Sequence, residues 1–436
     1  MKPQQSLGDV RWIIASILIS IGFWYWVFHI LAPTNAAVVF AAHRPIGNNS
    51  DLYPRWLGTR ELLLHRRDPY SPEVTQQIQI GFYGRPLDPS NPSDPTAQES
   101  FVYPVYVAFL LAPTIGVPFH IVAAVFRWIL LVAVAASVPL WMYAFGLRAR
   151  ISVIAAGMLL ATSTSPAMYE YFQHNLAALA VLFMAGGVAA IVGEKPALAG
   201  ILLALSTIKP DTTAPIVAWL LVWSAARIRT RGAVLWWFLG SMGLLILGGE
   251  FYSPHWIGRF LAAIREYPAY GTDPSVIQVL FPRPVAVAVA VALIAYVLVL
   301  VWRWKAAGVD SEQFGWAIAV IGATTLVTLP KLAGYNALLL FPGVLLLIDW
   351  YARSAARSII SRALTRAVFA CQLWQWLAAA ILTLTSFVLP AMRLRSVAHL
   401  PDYTFIPLWP ITLLALLVAS PEAAKKRDCA GKSVGV

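Results

Sequence analysis

Long apolar runs dominate this chain and leave it few ways to fold. A bilayer crossing needs about 20 apolar residues in helical form. Runs near 11–32, 101–117, 120–147, 151–166, 175–192, 197–208, 212–226, 233–249, 284–303, 314–329, 334–350, 369–390 and 404–420 approach or meet that length. Hydrophobic residues make up 59% of the 436 and charged residues only 12%, about half the charged share of a soluble domain. That coat is too thin for a water-facing enzyme, a disordered chain or a secreted disulfide scaffold. The expectation is one all-α polytopic membrane domain over 1–436. Its first run carries Trp24, Tyr25 and Trp26 where a signal peptide needs small residues, so it reads as a retained helix.

The run at 101–117 holds Pro104 and Pro113 and reads as re-entrant or half-inserted, which requires shelter from lipid. The other runs give about twelve crossings with both termini on one side. With the N-terminus inside, the inner segments carry 18 basic residues against 6 acidic ones, among them Arg227, Arg229, Arg231, Arg303 and Lys305. A basic tail over 421–436 lies on the same side. The net charge of +12 is therefore a topology signal of the positive-inside kind and not a nucleic-acid footprint. This sidedness leaves the remaining loops on the outer face.

Those outer loops hold the chemistry. Residues 33–100 form a long first outer segment, with an amphipathic helix from Arg55 to His65 that offers Trp56, Leu57, Leu63 and Leu64 to the membrane surface. Residues 250–284 form a second. Short turns add Gln173-His174-Asn175, Lys209-Pro210-Asp211 and Pro330-Lys331. Ionisable groups at membrane depth are costly and point to function, and Asp51, Gln173, Asn175, Lys209 and Lys331 all fall on the outer side. A carboxylate there can take a proton from an acceptor hydroxyl, and lysines can neutralise a departing phosphate. This favours a lipid-phosphate donor arriving through the bilayer. Cys371 and Cys429 do not make a CxxC motif, the seven histidines are scattered, and Asp88 and Asp94 are poorly spaced. No metal or other cofactor is expected.

A family pattern follows these residues. Asp51-Leu52-Tyr53, Arg60-Glu61-Leu62-Leu63, Asp68-Pro69-Tyr70 and Phe101-Val102-Tyr103-Pro104, then Gln173-His174-Asn175 and Lys209-Pro210, resemble glycosyltransferase family 87 across roughly residues 45–215. The resemblance implies the membrane C-type glycosyltransferase fold. It also implies transfer of mannose or a related sugar from a polyprenyl-phosphate donor to a lipid or glycan acceptor. The membrane it implies is a plasma (inner) membrane, with the outer loops facing the periplasm or the exterior. Asp51 would be the general base of an inverting transfer and Asp68–Tyr70 would shape the loop. Gln173, Asn175 and Lys209 would contact substrate. The late stretch Leu329-Pro330-Lys331-Leu332-Ala333-Gly334-Tyr335-Asn336 lacks the histidine common in the family, so Lys331 or Tyr335 would have to substitute.

Each residue also has a plainer reading. Asp51 can cap a helix, Lys209 can snorkel, and Gln173 and Asn175 can cap the next helix, with His174 as local structure. Arg60 can pair with Glu61 instead of meeting substrate. Tyr53 and Tyr103 can be belt aromatics instead of sugar platforms. Arg127, inside a run, can snorkel, find a buried partner or bind donor. The alternative class is a flippase or transporter for a lipid-linked sugar or small molecule, which would place its site near the midplane between repeats. No internal repeat is evident. An inactive relative that scaffolds an envelope complex is the third reading.

Overall fold

The computed structural model describes residues 3–41, 47–88, 90–91, 94, 99–270, 274–330, 333–353 and 358–420. Among them the chain is helical throughout, with no strand. The elements are α1 Pro3–Trp26, α2 Ala32–Ala41, α3 Leu52–His65, α4 Pro72–Tyr83, α5 Val107–Leu111, α6 Phe119–Ala144, α7 Ile151–Thr162, α8 Ser165–Gln173, α9 Ala177–Val192 and α10 Pro196–Ser206. They continue as α11 Pro210–Ala225, α12 Ile228–Tyr252, α13 Trp256–Tyr270, α14 Val276–Leu280, α15 Arg283–Arg303, α16 Glu312–Thr328, α17 Phe341–Arg353, α18 Ile359–Ser386, α19 Ala391–Leu394 and α20 Phe405–Ala419.

Six helical stretches are long and apolar enough to cross a membrane: Val10–Val38, α6, α12, α15, Gly334–Arg353 and α18. The first is continuous because a π-turn at Val27–Leu31 joins α1 to α2. The pair α7 and α8, bent by 56°, would make a seventh. Its bend falls at Ser163–Thr164, where Pro166 in the first turn starts α8 afresh. The Ser165 amide donates to Gln375 of α18 at 2.9 Å, and the Ser165 hydroxyl bonds Asp402 at 3.0 Å. Shorter apolar helices, α9, α10 and Pro407–Ala419, fill the bundle. The stretch at 101–117 holds only the five-residue α5 and a 3-10 turn at Ala112–Thr114, too short to cross.

Burial separates centre from rim. A helix that is apolar all round belongs in a protein interior or in lipid. Nearly every residue of α16, and most of α9, is buried in protein. By contrast α12 and α15 bury only 22% of their apolar windows and turn Trp236, Trp237, Val291 and Leu298 outward. Helices α3, α4 and α5 lie across one end of this bundle. Trp56 and Leu57, expected at the membrane surface, are 4% and 9% exposed. They pack into the protein because the ring of Trp56 meets Phe119 at the head of α6, 5.3 Å between centroids. Only Leu64 of that set is exposed, at 52%.

The Asp-Pro-Tyr turn ties this roof together. Asp68 accepts from the Tyr70 amide at 3.2 Å and pairs with Arg259 of α13 at 2.9 Å. The Tyr70 hydroxyl donates to the Tyr103 carbonyl at 2.6 Å. At the far ends of α11, α12 and α15, Arg231 stacks on Trp223 at 4.0 Å and donates to the Ala307 carbonyl at 2.8 Å. The 16 residues of α11, at about 1.5 Å each, separate that basic end from Lys209. The tail at 421–436, with Cys429, and Lys331 lie outside the described residues.

Candidate active site

The site is assembled where the roof meets the turn between α8 and α9. Asp51 stands at the N-terminal edge of α3, yet its carboxylate caps nothing. The preceding Ser50 serves the local backbone instead, accepting from the Leu52 amide at 3.3 Å. The Asp51 carboxylate takes a hydrogen bond from the Asn175 side-chain amide at 2.7 Å, and the Asp51 amide donates to the Gln173 carbonyl at 2.7 Å. Backbone and side chain of the acid are thus both held by the same three-residue turn.

That turn owes its shape to His174. With φ at 53° it occupies the left-handed region, an uncommon place for a non-glycine residue and one that ends helices. Its amide returns to the Glu170 carbonyl at 3.0 Å and its Nδ1 lies 3.0 Å from the Ser50 hydroxyl. Burial, with Arg127 nearby, lowers its pKa to about 4. Asn175 accepts from the Ala177 amide at 3.0 Å to open α9, so it both caps a helix and orients Asp51. Gln173 contributes through its carbonyl.

Two cations stand at the same end of the bundle as the acid. Arg55, one helical turn after Asp51, donates to the Asp51 carbonyl and lays its guanidinium 4.2 Å from the centroid of the Tyr103 ring. Burial works against its charge, but Tyr103, Asp51 and Glu99 outweigh that and raise its pKa. Lys209, 4% exposed, sits 3.1 Å from Asp211 and 5.2 Å from the centroid of the Tyr335 ring. Burial again opposes its charge, while Asp211 and Tyr103 raise its pKa. Tyr103 and Tyr335 are both buried. The chain therefore holds a carboxylate, two fixed cations and two phenols at one end of the bundle.

Asp51, Tyr103, Gln173, His174, Asn175, Lys209 and Tyr335 come together here. Tyr53 is placed elsewhere: its ring packs on Phe119 at 4.9 Å and its hydroxyl abuts Gly81 of α4. Arg60 lies a turn further along α3, 5.5 Å over the Trp56 ring. It does not pair with Glu61, which binds His65 at 3.1 Å and Arg67 at 3.4 Å, because adjacent helical residues point apart. Sequence reasoning missed Arg55, although its i,i+4 spacing from Asp51 puts the two on one helix face. It placed Glu170 in the outer turn at 169–175 but gave it no role; the residue is fully buried, with one oxygen bonded to the Ala178 amide at 2.9 Å and the other unpartnered. Asn336, beside Tyr335, is buried with its amide unpartnered too. Neither Glu170 nor Asn336 carries a spacing signal.

An apolar cavity of about 510 Å³ runs from this end between α11, α15 and α16. Asp211 and Pro330 stand at its head, and Trp219, Val297, Leu298 and Thr325 line its length. Among the described residues no group of three or more His, Cys, Asp or Glu is placed to hold a metal ion. Asp94 is spent on Arg85 and on the Asp88 amide.

No curated protein and no solved structure matches the chain. The family model for glycosyltransferase family 87 matches residues 101–330. That span begins later and runs further than the stretch at 45–215 whose motifs carry the resemblance. It takes in the α8–α9 turn, Lys209 and the head of the cavity. A match over more than half of the 436 residues makes the chain a membrane glycosyltransferase, a member of glycosyltransferase family 87.

Proposed function

We propose that this protein transfers a sugar from a polyprenyl-phosphate donor to a hydroxyl of a lipid or glycan acceptor, with inversion at the anomeric carbon. The observation that carries the reading is the Asp51 carboxylate, oriented by Asn175, with Arg55 bonded to the Asp51 main-chain carbonyl and Lys209 held by Asp211 at the same end of the bundle. Asp51 takes the proton of the acceptor hydroxyl as its oxygen attacks the anomeric carbon. The carbon–oxygen bond to phosphate breaks on the opposite side, and its electron pair leaves with the lipid phosphate. Lys209 and Arg55 balance the charge that develops there. The proton then passes from Asp51 to water.

The cavity between α11, α15 and α16 suits the donor's hydrocarbon chain. Its lining is mostly apolar, with Thr324, Thr325 and Thr328 on the wall, and the charged residue that lines it is Asp211, which stands beside Lys209. The basic cluster at the other end of α11, α12 and α15 supports an orientation with Asp51 facing the periplasm or exterior of a plasma (inner) membrane. About twelve crossings in a C-type arrangement, with mannose as the first sugar to try, complete the proposal. No metal enters it, and Lys331 remains a candidate phosphate contact.

The test is transfer from labelled polyprenyl-phosphate-mannose to an envelope lipid extract by protein held in nanodiscs. Wild type should make labelled product, and Asp51→Asn, equally folded, should be slower by about 10²- to 10⁴-fold. Intact transfer by Asp51→Asn would remove the base assignment. Unchanged donor moved across the bilayer by both proteins would favour a flippase.

A further inference from the structure

A second polar feature lies on the lipid-facing wall and takes no part in the chemistry proposed for Asp51. Arg127 occurs in the first third of α6, a 26-residue span with no other Asp, Glu, Lys or Arg. Helical side chains lean toward the N-terminus, so its guanidinium rises toward the Phe119 end, under the roof. Its Nε donates to the Tyr171 carbonyl at 3.3 Å, and the guanidinium stands 4.5 Å from the centroid of the Tyr171 ring. Its two terminal nitrogens meet no protein group among the described residues, and no carboxylate pairs with it.

The surroundings are aromatic and face outward. Trp24 and Phe28 of the first helix and Trp128 of α6 pack on Tyr171 at 5.0, 5.5 and 6.2 Å between centroids. Trp128 is 63% exposed and Phe28 43%, with Val125 and Val132 of α6 also exposed. The indole N–H groups of Trp24 and Trp128 and the hydroxyl of Tyr171 have no partner among the described residues.

Three properties converge on one ligand. An unpaired arginine in a low-dielectric wall needs a counter-charge. Its two free terminal nitrogens form a fork that matches phosphate oxygens. Tryptophan and tyrosine rings with unused donors suit the zone between headgroup and chain, and the exposed aliphatic residues along α6 suit an acyl tail. We propose that Arg127, collared by Trp24, Phe28, Trp128 and Tyr171, binds the phosphate of an anionic phospholipid that enters sideways from the leaflet on the Asp51 side. The site takes a lipid phosphate and not a free anion, because the open side of the collar faces hydrocarbon.

The test counts bound lipids by native mass spectrometry. Full-length wild type, Arg127→Gln and Arg127→Lys are released from nanodiscs of phosphatidylcholine containing phosphatidylglycerol. Wild type should retain one more phosphatidylglycerol than Arg127→Gln. Arg127→Lys, which keeps the charge and loses the fork, should hold it about tenfold more weakly. Excess inorganic phosphate should leave wild type unchanged. Equal retention by wild type and a folded Arg127→Gln would overturn the proposal, and displacement by inorganic phosphate would reassign the site to a free anion. Should Arg127→Gln fail to fold, the comparison of wild type with Arg127→Lys decides, and equal retention again overturns it.

Discussion

The side-chain amide of Asn175 donates to the Asp51 carboxylate at 2.7 Å across 124 positions of chain. It is the one polar contact that fixes where the carboxylate points among the described residues. Asn175→Ala should therefore lower kcat by about 10- to 100-fold, the cost of a base displaced by about an ångström, with little change in donor KM. Single-turnover transfer rates separate the two.

Lys209 is buried and keeps its charge beside Asp211. Lys209→Gln should slow transfer by about 10²- to 10³-fold, as expected for losing a charge at a developing anion. Lys209→Arg should recover part of it. Donor titrations at fixed acceptor check this, since a purely structural lysine would not be rescued selectively in the chemical step.

Ala218 is exposed on the groove wall of α11. Ala218→Trp fills the apolar cavity without disturbing the core. Transfer from a long polyprenyl donor should fall about tenfold, while a short-chain donor that stops near Asp211 should be spared. Parallel rates with the two donors measure the difference.

Gly58 of α3 faces the ring of Phe101 so closely that a β-carbon there would overlap it. Gly58→Ala should cost about 1–3 kcal/mol, the usual penalty for overpacking. Gly116→Ala, where a β-carbon meets nothing within 4 Å, should change stability by less than about 0.5 kcal/mol. Thermal unfolding in the same detergent compares them.

His399 links two ends of the chain: its Nδ1 lies 3.5 Å from Asp402 and its Nε2 is 3.0 Å from the Asn35 side-chain oxygen. Both ring nitrogens face acceptors, which favours the doubly protonated ring. The hydrogen bond to Asp402 accordingly raises its pKa. A raised folded-state pKa contributes stability that is complete below the unfolded value of about 6.5 and is lost as pH rises through the folded value. Melting curves from about pH 5.5 to 8.5 should show wild type ahead of His399→Gln at the acid end only.

What the sequence made legible follows its physics. Apolar length and charge asymmetry mark membrane helices, so α6, α12, α15 and α18 were visible. The polar turns at Gln173–Asn175 and Lys209 stood out against apolar neighbours, and they do converge. The roof was harder to read, because an amphipathic pattern looks alike whether its apolar side meets lipid or protein. Trp56 and Leu57 went to protein. Glu170 was hidden for another reason: its hydrogen bond to Ala178 depends on the left-handed turn at His174, which no periodicity announces.

The acid and its holder come from different parts of the chain. Asp51 precedes the matched span at 101–330, whereas Gln173 and Asn175, which grip its amide and its carboxylate, lie inside it. Asp51 is therefore a removable tooth in a socket cast by the bundle. A chimera that exchanges residues 33–100 with a relative would carry in a foreign acid yet seat it against the native turn at 173–175, so that turn joins the packing of Trp56 on Phe119 and the pairing of Asp68 with Arg259 in deciding compatibility between relatives.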